Sequence, residues 1–180
     1  ETAARVAAGA LARRLLDEFR IDVGSYVVSL GGISARPPAE LPWPLNPAVD
    51  VSEVRVLDRK VEAKIVQRID QARADGDTLG GECEVVVRGL PTGLGSHVHW
   101  DRKLDGRLAG ALMSIPAVKA VEIGIGFEAA RLPGSAVHDP MIATAVPGSP
   151  AHRPALKGGF ARQGNNAGGL EGGVTTGEPL

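Results

Sequence analysis

A glycine-rich stretch close to the end of the sequence has the composition of a ligand-binding loop. Residues 164–173 are Gly-Asn-Asn-Ala-Gly-Gly-Leu-Glu-Gly-Gly, so five of the ten positions are glycine and two carry side-chain amides. Glycine loses more backbone entropy on folding than any other residue, so this density requires a steric reason. The usual reasons are a positive φ or a backbone that lies against a ligand. This loop is therefore the first candidate for a binding site.

A second glycine motif resembles a dinucleotide fingerprint. Residues 124–129, Gly-Ile-Gly-Phe-Glu-Ala, follow a strand-like run and match the pattern with alanine in the last place. That motif works by opening a helix whose N-terminus holds a pyrophosphate. Here Pro133-Gly134 interrupts the helix, and the acidic residue expected about twenty positions later is missing. A nicotinamide-dinucleotide-binding oxidoreductase domain therefore stays an alternative that the sequence disfavours.

The histidines do not form an obvious metal or catalytic set. His97 and His99 would share one face of a strand, but a closed zinc site needs four ligands and only Asp101 accompanies them. We predict no metal site here. His138 and Asp139 could orient a general base, but they lie in an irregular stretch and we expect both to be exposed to solvent.

Composition limits the classes of partner. The sequence has 20 basic and 21 acidic residues, so it lacks the basic surface that nucleic-acid binding requires. No apolar run approaches the length of a membrane span, so we expect no membrane partner. Cys83 is the one cysteine among 180 residues. It cannot form an internal disulfide, which fits a reducing, cytoplasmic environment.

The pattern of apolar residues predicts a mixed α/β fold of the α+β class, in one domain over residues 1–180. The first helix is alanine-rich and apolar nearly all round, so we expect it to be covered on more than one side. The second has Asp58 as N-cap and one apolar stripe of Val61, Ile65, Ile69 and Ala72. The predicted elements are a helix over 1–19, a strand over 23–30, a helix from Asp58 to Asp75, a strand over 82–90, a helix capped by Asp101 and a strand over 117–125. From Pro133 to Gly169 we expect no regular structure. The sequence begins inside a helical pattern and ends in a glycine-rich run, so we expect a chain truncated at both ends.

Five blocks in this order and spacing resemble chorismate synthase, and the similarity extends over essentially the whole chain. The blocks are Glu1-Thr2-Ala3-Ala4-Arg5-Val6-Ala7-Ala8-Gly9-Ala10, Gly76-Asp77-Thr78-Leu79-Gly80-Gly81, Gly89-Leu90-Pro91-Thr92-Gly93-Leu94-Gly95-Ser96, Leu112-Met113-Ser114-Ile115 with Val121-Glu122-Ile123-Gly124, and the loop from Asn165 to Gly173.

The resemblance implies a fold, a reaction and an assembly. The family fold is a β-α-β sandwich, with helices between two antiparallel sheets, assembled as a homotetramer. The implied reaction is the trans-1,4 elimination of phosphate from 5-enolpyruvylshikimate 3-phosphate to give chorismate, in the shikimate pathway of aromatic amino acid biosynthesis. It requires reduced FMN without net redox change. Whether the parent enzyme reduces its own flavin with NADPH stays open.

The resemblance also implies three flavin contacts, at Pro116, Ala117 and Gly172. Family members often carry an amide side chain where this chain has Pro116, and proline offers no N–H donor. Ile125 similarly replaces an acidic residue. The family's catalytic histidines and substrate-binding arginines match no residue of this sequence, so catalytic residues are unassigned and the chain is expected to be inactive alone. A non-catalytic assembly module is the second alternative.

Overall fold

The computed structural model describes residues 1–143 and 160–180. The chain divides into two compact units, a first unit of residues 1–21 with 87–180 and a second unit of residues 22–86. The single domain predicted over residues 1–180 stays a prediction. In chain order, the helices and strands are α1 (Thr2–Glu18), β1 (Asp22–Leu30), β2 (Ile33–Ser34), α2 (Leu45–Val49), α3 (Arg59–Ala74), β3 (Gly81–Arg88), α4 (Leu104–Met113), α5 (Gly134–Val137), β4 (Met141–Ala143), β5 (Phe160–Arg162), β6 (Leu170–Glu171) and β7 (Val174–Thr175). Two 3-10 helices lie at Trp100–Arg102 and Gly126–Arg131.

The second unit is built around β1, in a sheet of order β2-β1-β3 in which β1 and β2 pair antiparallel. Successive side chains of a strand point to opposite faces. Accordingly Tyr26 belongs to one buried cluster, whereas its neighbour Val27 packs against another. The first cluster consists of Tyr26, Leu45, Val49 and Val86. The second consists of Ala35, Val56 and Ile65. Apolar packing on both faces therefore stabilises β1.

Helix α3 forms as its sequence predicts. The Asp58 side chain accepts a hydrogen bond from the Lys60 N–H at 3.0 Å, as an N-cap should. Ile65 and Ala72 are buried, and Val61 and Ile69 are partly buried against the second cluster. The amphipathic pattern thus identified both the start and the buried face of this helix.

The first unit contains two antiparallel hairpins. Strand β4 pairs with β5 and β6 pairs with β7. The last residue of the sequence is fixed as well, since Leu180 exchanges backbone hydrogen bonds of 2.7 and 2.9 Å with Val87. Helices and antiparallel sheets in both units confirm the predicted mixed α+β fold.

Helix α1 forms over the predicted residues but is not covered. None of its residues is buried. Its large apolar side chains are 63–75% exposed at Val6, Leu11 and Leu15, and Phe19 just beyond the helix is 66% exposed. The described residues of this chain therefore do not cover α1, contrary to the expectation that it is covered on more than one side.

Two further local predictions are wrong. Asp101 does not cap α4, which begins at Leu104 after Lys103. Asp101 instead lies in a 3-10 turn, where its carboxylate is 2.6 Å from His99 Nδ1. Residues 117–125 do not form a strand. Near the two ends of this segment Ala117 and Gly124 have positive φ, +70° and +61°, which is incompatible with extended backbone at those positions.

The stretch from Pro133 to Gly169, predicted to lack regular structure, contains α5, β4 and β5. These are elements of three or four residues, too short to produce a recognisable period in the sequence. His152 and the rest of residues 144–159 lie outside the described residues.

Candidate cofactor-binding site

The glycine-rich loop ends in a tight hairpin that explains two of its glycines. Strands β6 and β7 pair with Glu171 opposite Val174, which leaves Gly172-Gly173 as a two-residue turn. Both turn residues have positive φ, +60° and +88°. Two-residue hairpins of this kind require φ above zero at both positions, which glycine adopts without steric cost.

Contacts join this hairpin to the block of residues 89–96. The carbonyl oxygen of Gly173 accepts hydrogen bonds from the N–H groups of Ser96 and Leu104, at 3.3 and 2.9 Å. Thr175 and Leu94 are linked by two more bonds of 2.9 Å. A Cβ at Gly95 would overlap the Gly173 carbonyl. Two blocks far apart in sequence thus form one backbone layer, and glycine is needed where they touch.

The dinucleotide-like motif packs against the same loop. A Cβ at Gly124 would overlap the backbone of Asn166 and Ala167, and the Ile125 N–H donates to the Asn166 carbonyl at 2.8 Å. The motif opens only the 3-10 helix of residues 126–131. Its first glycine therefore serves a contact within the protein, and the geometry contradicts a pyrophosphate-binding helix N-terminus.

Gly172 differs from the other glycines of the loop. A Cβ at Gly164, Gly169 or Gly173 would lie 2.5–2.8 Å from another atom of the chain, and Gly168 is also obstructed. A Cβ built at Gly172 meets no atom of the described residues within 4 Å. Gly172 is also exposed, so an open space lies beside the backbone at the position that the family resemblance implies for flavin.

Pro116 and Ala117 lie in an exposed turn after α4. Arg5 of α1 anchors this turn, since its guanidinium donates to the Ser114 hydroxyl and carbonyl oxygens at 3.0 and 2.9 Å. Ala117 has φ +70°, which is uncommon for a residue with a side chain and occurs often at functional sites. Arg5 holds the Pro116-Ala117 turn, and backbone bonds from Ser96 and Leu104 hold the Gly172 hairpin. That both contact flavin stays a prediction.

Asp139 was expected to be exposed and is instead buried, with 6% of its surface accessible. Its carboxylate accepts hydrogen bonds from backbone N–H groups of the glycine-rich loop, at Asn166 and Ala167. His138 is exposed, as predicted. Asp139 thus organises the loop and is not paired with a catalytic base. Sequence spacing could not identify it, because its partners follow 27 and 28 positions later.

The histidines of the residue 96–102 segment form no metal centre in the described part of the chain. His99 contacts Asp101, and no group of three or more His, Cys, Asp or Glu side chains in residues 1–143 and 160–180 could hold a metal ion. That His97 and His99 bind no structural zinc stays a prediction. Cys83 is an exposed free thiol.

No helix among the described residues is both long and apolar enough to cross a membrane.

Comparisons with known proteins agree with the five sequence blocks. The family model described as chorismate synthase matches residues 1–180. The chorismate synthase of Trichlorobacter lovleyi is 54% identical over 100% of this chain and 45% of its own length. That of Thermus thermophilus is 52% identical over 100% of this chain and 44% of its own length.

A solved structure extends the likeness to the fold. A crystal structure of chorismate synthase is 41% identical and matches with a TM-score of 0.84, over 100% of this chain and 53% of that chain. The chain therefore spans less than half the length of the Trichlorobacter and Thermus relatives, and about half of the solved chain.

Proposed function

This chain belongs to the chorismate synthase family, and we propose that it forms the part of such an enzyme that carries one side of a reduced-FMN site. The proposed reaction is the 1,4-elimination of phosphate from 5-enolpyruvylshikimate 3-phosphate to give chorismate. The observation that carries the proposal is the family match over all 180 residues. We further propose a cytoplasmic enzyme that acts as a homotetramer.

The residues at the implied flavin positions are compatible with the flat ring of FMN. The open space beside Gly172 allows a ring to approach the backbone. Pro116 has no N–H to donate, so only its ring or its carbonyl oxygen can contact the cofactor. Ala117 has a small side chain and is exposed. These features support a packing surface for the isoalloxazine and do not supply acid–base groups.

When bound, reduced FMN supplies the electron density that carbon–oxygen bond cleavage requires, with no net redox change. The residues of this chain are proposed to bind and orient the ring. No histidine of this sequence matches the family's proton donors. Positioned acid–base groups contribute roughly a hundred- to ten-thousandfold each, so we expect the chain to be inactive alone.

The proposal is tested with a reconstructed enzyme. In it, residues 1–180 replace the matching segment of the Trichlorobacter lovleyi relative, with which the chain shares 54% identity. We expect it to bind reduced FMN anaerobically and to form chorismate, whereas the 180-residue chain alone should form none. A reconstructed enzyme that folds but binds no FMN would refute the proposed function. Turnover by the isolated chain would refute its expected inactivity.

Anaerobic titration of the reconstructed enzyme with FMN and with NADPH separates the two alternative functions. A nicotinamide-dinucleotide-binding domain would bind NADPH without FMN, which the short 3-10 helix after Gly126 disfavours. A non-catalytic assembly module would give the right oligomer but neither bind FMN nor form chorismate.

A further inference from the structure

The glycine-rich loop is held at two points by side chains outside it. The first is Asp139, whose Oδ1 accepts the Asn166 N–H and whose Oδ2 accepts the Ala167 N–H, both at 2.9 Å. A Cβ at Gly164 would lie 2.5 Å from Asp139 Oδ1, so the loop passes close over the carboxylate. One buried carboxylate thus fixes two successive amides of the loop.

The second point is an ion pair beside the hairpin turn. Arg162 at the end of β5 donates two hydrogen bonds of 2.7 Å to the two carboxylate oxygens of Glu171. Arg162 also donates to the main-chain oxygen of Asp139 at 2.8 Å. The Arg162 side chain is 14% exposed and the Glu171 side chain 42%, so the guanidinium is largely shielded from water whereas the carboxylate is not. Bidentate pairs of this type fix orientation as well as distance.

These contacts converge on Gly172. Glu171 is its immediate neighbour, and Arg162 links Glu171 to the backbone of Asp139, which in turn holds the start of the loop. Both of these contacts act on the N-terminal side of the turn, and on its other side the Gly173 carbonyl oxygen accepts the N–H groups of Ser96 and Leu104. The turn is therefore held while the space beside Gly172 stays open. A binding surface that is already ordered before the ligand arrives avoids the entropy cost of ordering during binding.

We propose that Asp139 and Arg162 are positioning residues, which preorganise the Gly172 hairpin for flavin. The inference rests on the proposed function, because it assumes that the open space beside Gly172 receives the FMN ring. Neither residue touches the cofactor in this proposal. They act through the loop backbone and through Glu171.

The test uses Arg162→Gln and Asp139→Asn in the reconstructed enzyme. Glutamine cannot form the bidentate pair, and asparagine at 139 would place its NH2 group against one of two backbone donors. We expect each variant to bind FMN about tenfold more weakly, because losing a hydrogen bond to a charged group destabilises the ordered loop and lowers the fraction of the protein that can bind. At saturating FMN, we expect the kcat to stay within about twofold of the parent, because the residues assist binding and not the chemical step.

Arg131→Gln is the matched control. Arg131 forms a 2.8 Å ion pair with Glu128 in the same unit, but both side chains are more than half exposed. Exposed pairs contribute little, so FMN affinity should stay unchanged. If Arg131→Gln weakens FMN binding as much as Arg162→Gln, the proposal is wrong.

A purely structural role is distinguished by separating affinity from stability. FMN dissociation constants are measured at a temperature where every variant is folded, and the Tm is measured without flavin. Lower Tm with parental FMN affinity in both variants would overturn the proposal. Should Arg162→Gln fail to fold, Arg162→Lys and Glu171→Gln break the same bidentate pair with smaller changes of charge or shape, and both should weaken FMN binding.

The double variant Arg162→Gln, Glu171→Gln supplies a further check. If the two side chains act as one unit, it should bind FMN no more weakly than the poorer single variant. If the losses of FMN affinity in the two single variants multiply in the double variant, the Arg162–Glu171 pair does not act as one unit and the proposal is contradicted. The proposed function and the positioning role fail on different results. The proposed function fails if the parent reconstructed enzyme binds no FMN. The positioning role alone fails if the variants bind FMN with the affinity of the parent.

Discussion

At the scale of single residues, the glycine-rich loop shows that one composition can have several causes. Its density predicted positive φ or close approach to a ligand. Positive φ is confirmed at four of its five glycines, residues 168, 169, 172 and 173. Most of its glycines also lie close to other parts of the chain, as Gly169 does to the Pro179 carbonyl and Gly173 to Lys103. Within the described residues, the feature that favours glycine at position 172 is its φ of +60°, since no other part of the chain approaches it. A single sequence cannot separate these causes, because close approach depends on distant segments such as the one around Gly124.

The role of Gly172 in FMN binding can be tested with Gly172→Asn, because the side of Gly172 is open. Asparagine adopts positive φ more readily than other residues with side chains, so Gly172→Asn should lower stability less than Gly172→Val does. If flavin occupies the open space, FMN affinity should fall about tenfold or more, most in the ternary complex with substrate. Isothermal titration of the reconstructed enzyme measures this.

The matched control for that variant is Gly76→Asn. Gly76 has φ +67°, and a Cβ there also meets no described atom within 4 Å. Gly177 is less suitable, since its φ of +91° strains any side chain. We expect Gly172→Val to weaken FMN binding more than Gly177→Val. Equal affinity for Gly172→Asn and the parent would mean that Gly172 serves only the turn.

Tyr26 gives a pH-dependent prediction. Burial raises the pKa of the Tyr26 phenol, and a hydrogen bond and the charge of Glu84 raise it further. Because the pKa is raised in the folded state, its contribution to stability is present below about pH 10, the ordinary pKa of tyrosine, and is lost as the pH rises above it. The sequence has one tyrosine, so tyrosinate absorbance reports this group directly. It should appear only together with unfolding, and Tyr26→Phe should remove this part of the alkaline destabilisation. Ionisation near pH 10 in the folded chain would disprove the assignment.

At the scale of elements, prediction succeeded where one local pattern decides the structure. Helices α1 and α3 and strands β1 and β3 lie within a residue or two of their predicted bounds. It failed at α4 and at residues 117–125, where tertiary contacts outweigh local preference. Asp101 contacts His99 in place of the helix end, and Gly124 is turned by its packing against the glycine-rich loop.

Element α3 allows a test of its N-cap. Asp58→Ala removes the acceptor for the Lys60 N–H and should lower the free energy of unfolding by about 1 kcal/mol, whereas Asp58→Asn should be close to neutral. Asp70→Ala, an exposed position in the same helix, is the control and should stabilise slightly, because alanine has the better helix propensity. Urea unfolding measures all three. A loss equal in Asp58→Ala and Asp58→Asn would exclude the capping role.

At the scale of the whole molecule, the sequence blocks were sufficient to identify the family but not the site's full set of residues. Gly172 could be placed by its motif. Arg162 and Glu171 could not be paired from sequence, since they are nine positions apart in two different hairpins. The chain also matches only 45% of the length of its Trichlorobacter lovleyi relative. More than half of the relative's residues therefore have no counterpart in this sequence.

The exposed apolar side chains of helix α1 lead to a prediction about self-association of the isolated chain. Leu11, Leu15 and Phe19 are spaced four residues apart, so they form one stripe, and each is more than 60% exposed. Exposed apolar stripes promote association. We expect the isolated chain to self-associate and Leu15→Glu to reduce this, as measured by sedimentation velocity.

In the reconstructed enzyme we expect the sign of the Leu15→Glu effect to reverse. If sequence from the relative covers the α1 stripe, a glutamate at position 15 loses its hydration and the variant should melt at a lower temperature than the parent. Arg14→Gln makes the same change in net charge at a neighbouring position whose side chain is 80% exposed, and it should have little effect in either protein. If Leu15→Glu is equally harmless in the reconstructed enzyme, the stripe stays exposed there, and burial by the flanking sequence is not the reason for the apolar surface of α1.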